Sequence, residues 1–197
     1  MRAFLFSFAC GLLIAGLAFA APAPAPLQVR EATTCPAQAN PAHDGAHDFD
    51  WEHGEWRTQL PRLQEPLSGA TRWVEYEGSS NVRPALDGRA NLVELSVAGP
   101  SGRIEGLSLR LYNPQSRQWR LHFANIRFGE LTPPTIGAFN NGCGEFYAQD
   151  ALNGRAILVR FVIQQTSANS ARFEQSFSAD GGRTWELNWI AVDTRIR

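Results

Sequence analysis

The sequence predicts an all-β protein: a single antiparallel up-and-down β-barrel of about nine or ten strands, with a short helical turn before the first strand. Three observations predict this fold. From Trp56 onward, apolar and polar residues alternate with a period of two, as in strands that bury one face. Short turn signals rich in Gly, Asn, Asp and Pro separate these runs. No amphipathic helical pattern of roughly ten residues or more follows the N-terminal leader.

Nine segments carry the strand pattern. In chain order they are EWRTQL, TRWVEYEG, NLVELSV, RIEGLSLRLY, QWRLHFANIRF, GEFYAQD, RAILVRFVIQQ, SARFEQSFS and RTWELNWIAV. The turns between them include LDGRA, AGPSGR, NPQSR, LNGR, TSANS and ADGGR. Because most connections are short hairpins, the strands should lie side by side in chain order. This favours a barrel over a sandwich, whose sheets are joined by longer crossings.

The N-terminal residues predict an exported protein. One arginine and a long apolar run precede Ala18-Phe19-Ala20, a small-x-small cleavage pattern, so residues 1–20 are predicted to be a signal peptide. An uncleaved anchor is the alternative, because the run is about long enough to span a bilayer. Residues 21–46 are predicted to be a largely unstructured Pro/Ala-rich leader, and 47–197 the barrel domain. The expected location is the periplasm or the extracellular space.

Charge and composition exclude several classes of partner and chemistry. The formal net charge is -1, which gives no indication of nucleic acid or an anionic membrane surface as a partner. All basic residues apart from histidine are arginines, so no lysine is available as a Schiff-base or general-base residue. No membrane span is expected once the signal is cleaved. The oligomeric state is not predicted.

Two cysteines remain after signal cleavage, Cys35 in the leader and Cys143 in the loop NNGCGEF. In an oxidising compartment such a pair is most simply a disulfide, which would fasten the leader to the barrel. A free reactive thiol at Cys143 is the alternative.

The faces of the predicted strands indicate a broad aromatic interior. The residues predicted to line a cavity are Trp119, Phe123, Asn125, Arg127, Phe161, Phe173, Gln175 and Trp189. In RIEGLSLRLY, the same rule turns Leu107, Leu109 and Leu111 inward and leaves Ser108 and Arg110 outside.

Arg127 is the most informative polar residue of the predicted interior. A guanidinium in a cavity of low dielectric constant needs an anionic or carbonyl partner. It could anchor a ligand carboxylate or phosphate. The alternatives are an internal pair with Glu75 or Glu145, or a position at the rim in water.

Motifs for common enzymes are absent: the sequence has no nucleophile elbow, phosphate loop, dinucleotide fingerprint or zinc-protease helix. SADGGRTW resembles a single sialidase Asp-box and is interpreted as a hairpin, with Asp180 bonding turn amides and Gly182 at positive φ. The run HDGAHDFDWEH offers carboxylates and histidines, but it is broken by glycine, so no metal site is predicted. His122 is predicted to face outward, where it could not ligate a haem, and no cofactor is expected.

GEW, residues 54 to 56, matches the G-x-W signature that opens the first strand of lipocalins. In that superfamily an arginine near the last strand lies over the tryptophan and closes one barrel end. The resemblance assigns structural roles to Gly54, Trp56 and Arg195.

More widely, the segments HDFDWEHGEWRTQL, LSLRLYNPQSRQW and FEQSFSADGGRTWELNWIAVDTR resemble a bacterial family of uncharacterised exported proteins with a lipocalin-like, calycin-type domain. The resemblance covers residues 47 to 195 and implies a barrel that holds a small apolar or amphipathic ligand. It supplies no catalytic residues. The alternatives are an isomerase- or cyclase-type enzyme acting on a lipophilic substrate in the same cavity, or a filled barrel that acts as an interaction module.

Overall fold

The computed structural model describes residues 32–36 and 43–197. A 3-10 turn at Asp50–Glu52 precedes ten strands. The strands are β1 (Gly54–Leu63), β2 (Trp73–Ala85), β3 (Ala90–Gly99), β4 (Gly102–Asn113), β5 (Gln118–Asn125), β6 (Thr135–Asn140), β7 (Cys143–Leu152), β8 (Arg155–Ser167), β9 (Ser170–Ser178) and β10 (Glu186–Arg195).

The strands form one closed antiparallel barrel in which neighbours in space are neighbours in the chain. Closure comes from β1 and β10, which pair from Trp56 opposite Arg195 to Arg62 opposite Trp189. The predicted fold class is confirmed: the described residues form ten strands, with a short helical turn before β1. Within the described residues, no helix is long and apolar enough to cross a membrane.

One strand was not predicted from its pattern. β6 follows Pro133-Pro134 and pairs with β5 only between residues 119–121 and 135–137. Its six residues, TIGAFN, alternate too briefly to stand out from a loop. β5 also ends at Asn125, so Arg127 and Phe128 belong to the following turn and not to a strand.

One end of the barrel is closed by the residues just before β1. Phe49 is 1% exposed and packs edge-on against Trp119 and Phe139, with ring centroids 4.9 and 4.8 Å away. The indole of Trp119 donates to the Gly45 carbonyl at 2.9 Å. The chain from His43 to Phe49 therefore seals this end, which we call the floor side.

The G-x-W residues reinforce the same end. The guanidinium of Arg195 lies 4.1 Å from the Trp56 ring and donates to the carbonyls of His53, at 2.8 Å, and Trp51. Gly54 has φ of 125°, and a Cβ there would lie 2.5 Å from the Arg197 carbonyl. A side chain at position 54 would therefore be strained and would clash with the C-terminus.

Residues 32–36 form a strap across the outer face of β7, β8 and β9. The predicted disulfide is confirmed: Cys35 is bonded to Cys143 across a sequence separation of 108. The amide and hydroxyl of Thr33 donate to Glu174 at 2.7 and 2.8 Å, and Arg160 donates to the Thr33 carbonyl. Parts of the predicted leader, 32–36 and 43–46, thus contact the barrel, and the predicted signal peptide lies outside the described residues.

Candidate functional site

A cavity of about 200 Å³ occupies the barrel above the floor side. Its walls are mainly apolar and its base is polar. The wall residues include Leu60, Val93, Leu95, Leu121, Phe123, Val159, Phe161, Ile163, Phe173, Phe177, Trp189 and Ala191. The base is formed by Glu52, Thr58, Ser80, Ser108, Arg110 and Asp193.

Five of the eight residues predicted to line the cavity do so in the structure. They are Phe123, Phe161, Phe173, Gln175 and Trp189. The phenyl rings of Phe161 and Phe173 lie 5.0 Å apart, and Gln175 donates to the Asn188 side chain at 2.8 Å. Whether these residues bind a ligand stays a prediction.

The other three predicted residues lie elsewhere, which corrects their placement. Trp119 is buried in the floor-side core, because its indole contacts Phe49 and bonds Gly45. Asn125 lies at the last position of β5, where its side chain accepts from the Arg127 amide at 2.9 Å. Both positions are outside the lining of the cavity.

Arg127 is exposed and lies past the end of β5, so it is not an inward-facing residue. Its guanidinium donates to the Arg103 carbonyl at 3.5 Å. Among the salt bridges of the described residues, none joins Arg127 to Glu75 or Glu145, and Glu145 lies 3.4 Å from Arg160 instead. The internal pair with Glu75 or Glu145 is therefore not formed, and Arg127 takes the alternative position at the rim.

The open end of the barrel widens into a mouth of about 840 Å³. The mouth shares Phe123, Gln175 and Trp189 with the cavity, so the two spaces adjoin at these side chains. Its other residues include Arg62, Glu65, Arg103, Asn125, Arg127, Phe128, Glu130 and Leu131. A ligand could therefore enter from this end, opposite the sealed floor side.

The base of the cavity contains a buried ion pair. Both terminal nitrogens of Arg110 donate to the two carboxylate oxygens of Glu52, and both side chains are almost fully buried. The guanidinium carbon also lies 4.3 Å from the centre of the Phe49 ring. A bidentate pair with a ring on one face holds both charged groups in a defined geometry.

Asp193 is the second carboxyl group at the base. The Thr58 hydroxyl donates to its Oδ1 at 2.5 Å and lies 3.2 Å from the Ser80 oxygen. Asp193 takes part in none of the salt bridges among the described residues. Burial, with a smaller contribution from the charge of Glu52, raises the pKa of this carboxyl to about 7; the hydrogen bonds from Thr58 and Ser80 and the charge of Arg110 act against the rise. The Asp193 side chain is half-buried, and it lines the cavity.

The sequence reasoning missed this polar base because it assigned the wrong face of β4 to the interior. Ser108 and Arg110 line the cavity, whereas Leu107, Leu109 and Leu111 are half-buried on the outer face. On that face Leu109 lies opposite Leu92 of β3. The available signal was that Arg110 shares its face with Ile104 and Tyr112, two residues that are buried in the core.

The predicted turn at Asp180 is formed by local hydrogen bonds. Oδ1 of Asp180 accepts from the Ser178 hydroxyl and from the amides of Arg183 and Thr184, at 2.8, 3.0 and 3.0 Å. The Thr184 hydroxyl, which donates to Oδ2 at 2.7 Å, together with these bonds holds the pKa of Asp180 well below its usual range, and Gly182 has φ of 87°. The turn therefore has a structural explanation in its own hydrogen bonds.

The histidines before β1 pair with neighbouring carboxylates. His43 lies 2.5 Å from Asp48, and His47 lies 2.8 Å from Asp50. In the described part of the chain, no group of three or more potential ligands could hold a metal ion. His122 was predicted to face outward, but it borders the cavity beside the segment before β6, where its ring lies 3.2 Å from the Thr132 carbonyl.

No protein-family model matches the chain, and no curated protein matches it either. Solved structures similar to it include designed β-barrels. EF1p2_mFAP2b bound to DFHBI has 9% sequence identity and a TM-score of 0.43, with 77% of this chain and 98% of that chain covered. The redesigned barrel mFAP0 bound to DFHBI has 10% identity and a TM-score of 0.42, covering 74% and 99%. A fluorescence-activating β-barrel designed de novo has 13% identity and a TM-score of 0.40, covering 78% and 98%.

Proposed function

We propose that this protein is an exported, lipocalin-like binding protein that holds a small amphipathic molecule in the barrel cavity. The observation that carries the proposal is a cavity sealed at one end and open at the other, with aromatic and aliphatic walls and a polar base. Such a cavity favours a ligand whose apolar body contacts the walls while one polar group reaches the base. The signal-like N-terminus supports export.

The size of the cavity limits the ligand. An apolar cavity of about 150 Å³ accommodates benzene. The cavity here measures about 200 Å³, which suits a one-ring compound with a short substituent or a branched chain of similar volume. A longer apolar tail would extend past Phe123 and Trp189 into the mouth.

The proposal is tested by extracting ligands from protein purified under mild conditions and identifying them by mass spectrometry. Ala148 lines the cavity on β7, and Ala98 is exposed on the outer face of β3. Ala148→Phe should fill the cavity and abolish ligand recovery, whereas the matched variant Ala98→Phe should retain it. The measured quantity is the molar ratio of extracted compound to protein.

A reproducible compound that is retained in Ala148→Phe would contradict binding in this cavity. Wild-type protein that contains no ligand and binds none from a library of one-ring compounds would overturn the proposed function.

A further inference from the structure

We infer that the cavity selects ligands with a cationic amino group, which forms an ion pair with Asp193 at the base. The inference rests on the proposed function and adds the chemical class of the ligand. At the base of the cavity, Glu52 and Arg110 are paired with each other, and the carboxyl of Asp193 remains available to a ligand.

Arg110 is already paired with Glu52 at the base of the cavity. The two terminal guanidinium nitrogens are engaged by the two carboxylate oxygens. A ligand carboxylate would have to displace Glu52 to reach Arg110 in the same bidentate way. Displacement would leave Glu52 buried without its counter-ion, at a large cost in free energy. The base therefore disfavours fatty acids and other carboxylates.

The charges at the base of the cavity do not balance when Asp193 is ionised. Two carboxylates and one guanidinium line the base, which leaves one negative charge uncompensated when Asp193 is ionised. On β10 this residue lies opposite Thr58 of β1 and Ala171 of β9, neither of which carries a charge. The charged groups that act on it are Glu52 before β1 and Arg110 on β4.

The remaining charged side chains near the cavity are engaged or distant from the base. Arg172 donates to Glu174 at 2.6 Å, and Asp150 also lines the open mouth. Arg195 donates to the carbonyls of His53 and Trp51, with its guanidinium over the Trp56 ring. Arg172 and Arg195 therefore have other partners, and neither supplies Asp193 with a cation.

A ligand ammonium group complements the negative charge of Asp193. An ammonium would neutralise Asp193, and the aromatic ring of Trp51 also lines the cavity and can contact the cation through its π face. A buried carboxylate without a cation is unfavourable. A cationic ligand relieves that cost, whereas a neutral alcohol of the same size only adds a hydrogen bond. This difference gives the cavity its selectivity.

The test uses three probes of similar size: 2-phenylethylamine, 2-phenylethanol and 3-phenylpropionate. Isothermal titration calorimetry on the whole protein at pH 8 should show that the amine binds at least tenfold more tightly than the alcohol, and that the carboxylate binds weakest. Amine affinity should fall about tenfold between pH 8 and pH 6, because Asp193 takes up a proton while the amine stays charged.

Three variants assign the effect to one residue. Asp193→Asn should reduce the affinity for the amine to that for the alcohol and leave binding of the alcohol within twofold, which also reports that the variant is folded. Asp150→Asn, a carboxyl at the open end, should leave both affinities within twofold. His122→Gln removes a histidine that lines the cavity and should preserve the pH profile.

The wild-type comparisons do not depend on any variant folding. An amine that binds no better than the alcohol, or binds more tightly at pH 6 than at pH 8, overturns the inference while leaving the proposed function in place. The inference is also overturned, with the proposed function left in place, if Asp193→Asn lowers the affinities for the amine and the alcohol by the same factor. Absence of binding by all three probes, with no extracted ligand, overturns the proposed function and the inference together.

Discussion

At the scale of single residues, the notable feature is a set of ionisable groups inside a barrel with mainly apolar walls. Arg110 is 4% exposed, and it is paired with Glu52, which is 8% exposed. Asp193 has no such partner. Buried ionised groups reduce stability unless a counter-charge compensates them, so the unpaired carboxyl of Asp193 lowers the stability of the ligand-free protein when it is ionised.

Asp193 makes the stability of the ligand-free protein depend on pH. Its pKa is raised to about 7 in the folded state from 3.8, so the folded state binds more protons than the unfolded state between these values. Stability should therefore fall as pH rises through this window and level off above it. Between pH 5 and pH 8, the Asp193 contribution is on the order of 2–3 kcal/mol.

Urea unfolding at pH 5 and pH 8 measures this contribution. Asp193→Asn should remove that part of the decrease, whereas Asp150→Asn should leave the decrease unchanged. Equal pH dependence in wild type and Asp193→Asn would contradict the assignment.

At the scale of elements, the strap of residues 32–36 is joined to the barrel by one covalent bond and by polar contacts. Glu174 on β9 is 1% exposed, and its carboxylate accepts from Thr33 of the strap and from Arg172. The Cys35–Cys143 bond holds the strap beside β7. The strap thus satisfies a buried charge on the outer face that the barrel strands alone would leave with fewer partners.

Reduction of the disulfide should loosen the strap and lower the free energy of unfolding. The bond spans a sequence separation of 108, for which the chain-entropy model gives about 4 kcal/mol. Urea unfolding with and without a reducing agent measures the change, and hydrogen exchange at the Thr33 amide reports release of the strap. Cys35→Ser should behave like the reduced protein under both conditions. Exchange at Thr33 that is unaffected by reduction would show that the polar contacts alone hold the strap.

At the scale of the whole molecule, the barrel has two different ends. The floor side is sealed by residues 43–49 and by Arg195 over Trp56. Charged residues line the mouth, and Ile126 and Phe128 are 72% and 78% exposed in the loop between β5 and β6. The mouth therefore lies at the end of the barrel opposite the floor side, and the polar residues of the base do not line it.

Phe49 should contribute more to the stability of the barrel than phenylalanines at the mouth. It contacts three aromatic rings, those of Trp119, Phe139 and Phe146. Phe49→Ala should lower the free energy of unfolding by about 3–5 kcal/mol. The matched change Phe128→Ala at the exposed mouth should stay within about 0.5 kcal/mol. Chemical denaturation of both variants tests the prediction, and similar small losses would argue against the sealed floor side.

Much of the architecture could be predicted because it depends on local patterns. Alternation and short turns predict nine of the ten strands, and the two cysteines outside the predicted signal peptide predict their bond. β6 was missed because six residues after a Pro-Pro pair carry too little pattern. On β4, both faces contain buried or half-buried residues, so counting apolar side chains selected the wrong one.

The sequence by itself determined the class of fold, the chain order of the strands and the disulfide. The alternation of apolar residues and the turn residues act over a few neighbouring positions, and the two cysteines outside the predicted signal peptide can pair only with each other. The tertiary structure alone decided the polar base of the cavity. Glu52 and Arg110 are 58 residues apart in the chain, and Thr58 and Asp193 are 135 apart. Closure of β1 against β10 places Thr58 opposite Asp193, and the turn before β1 brings Glu52 to Arg110 on β4. Their burial, and with it the raised pKa of Asp193, follows from that closure and from no local pattern.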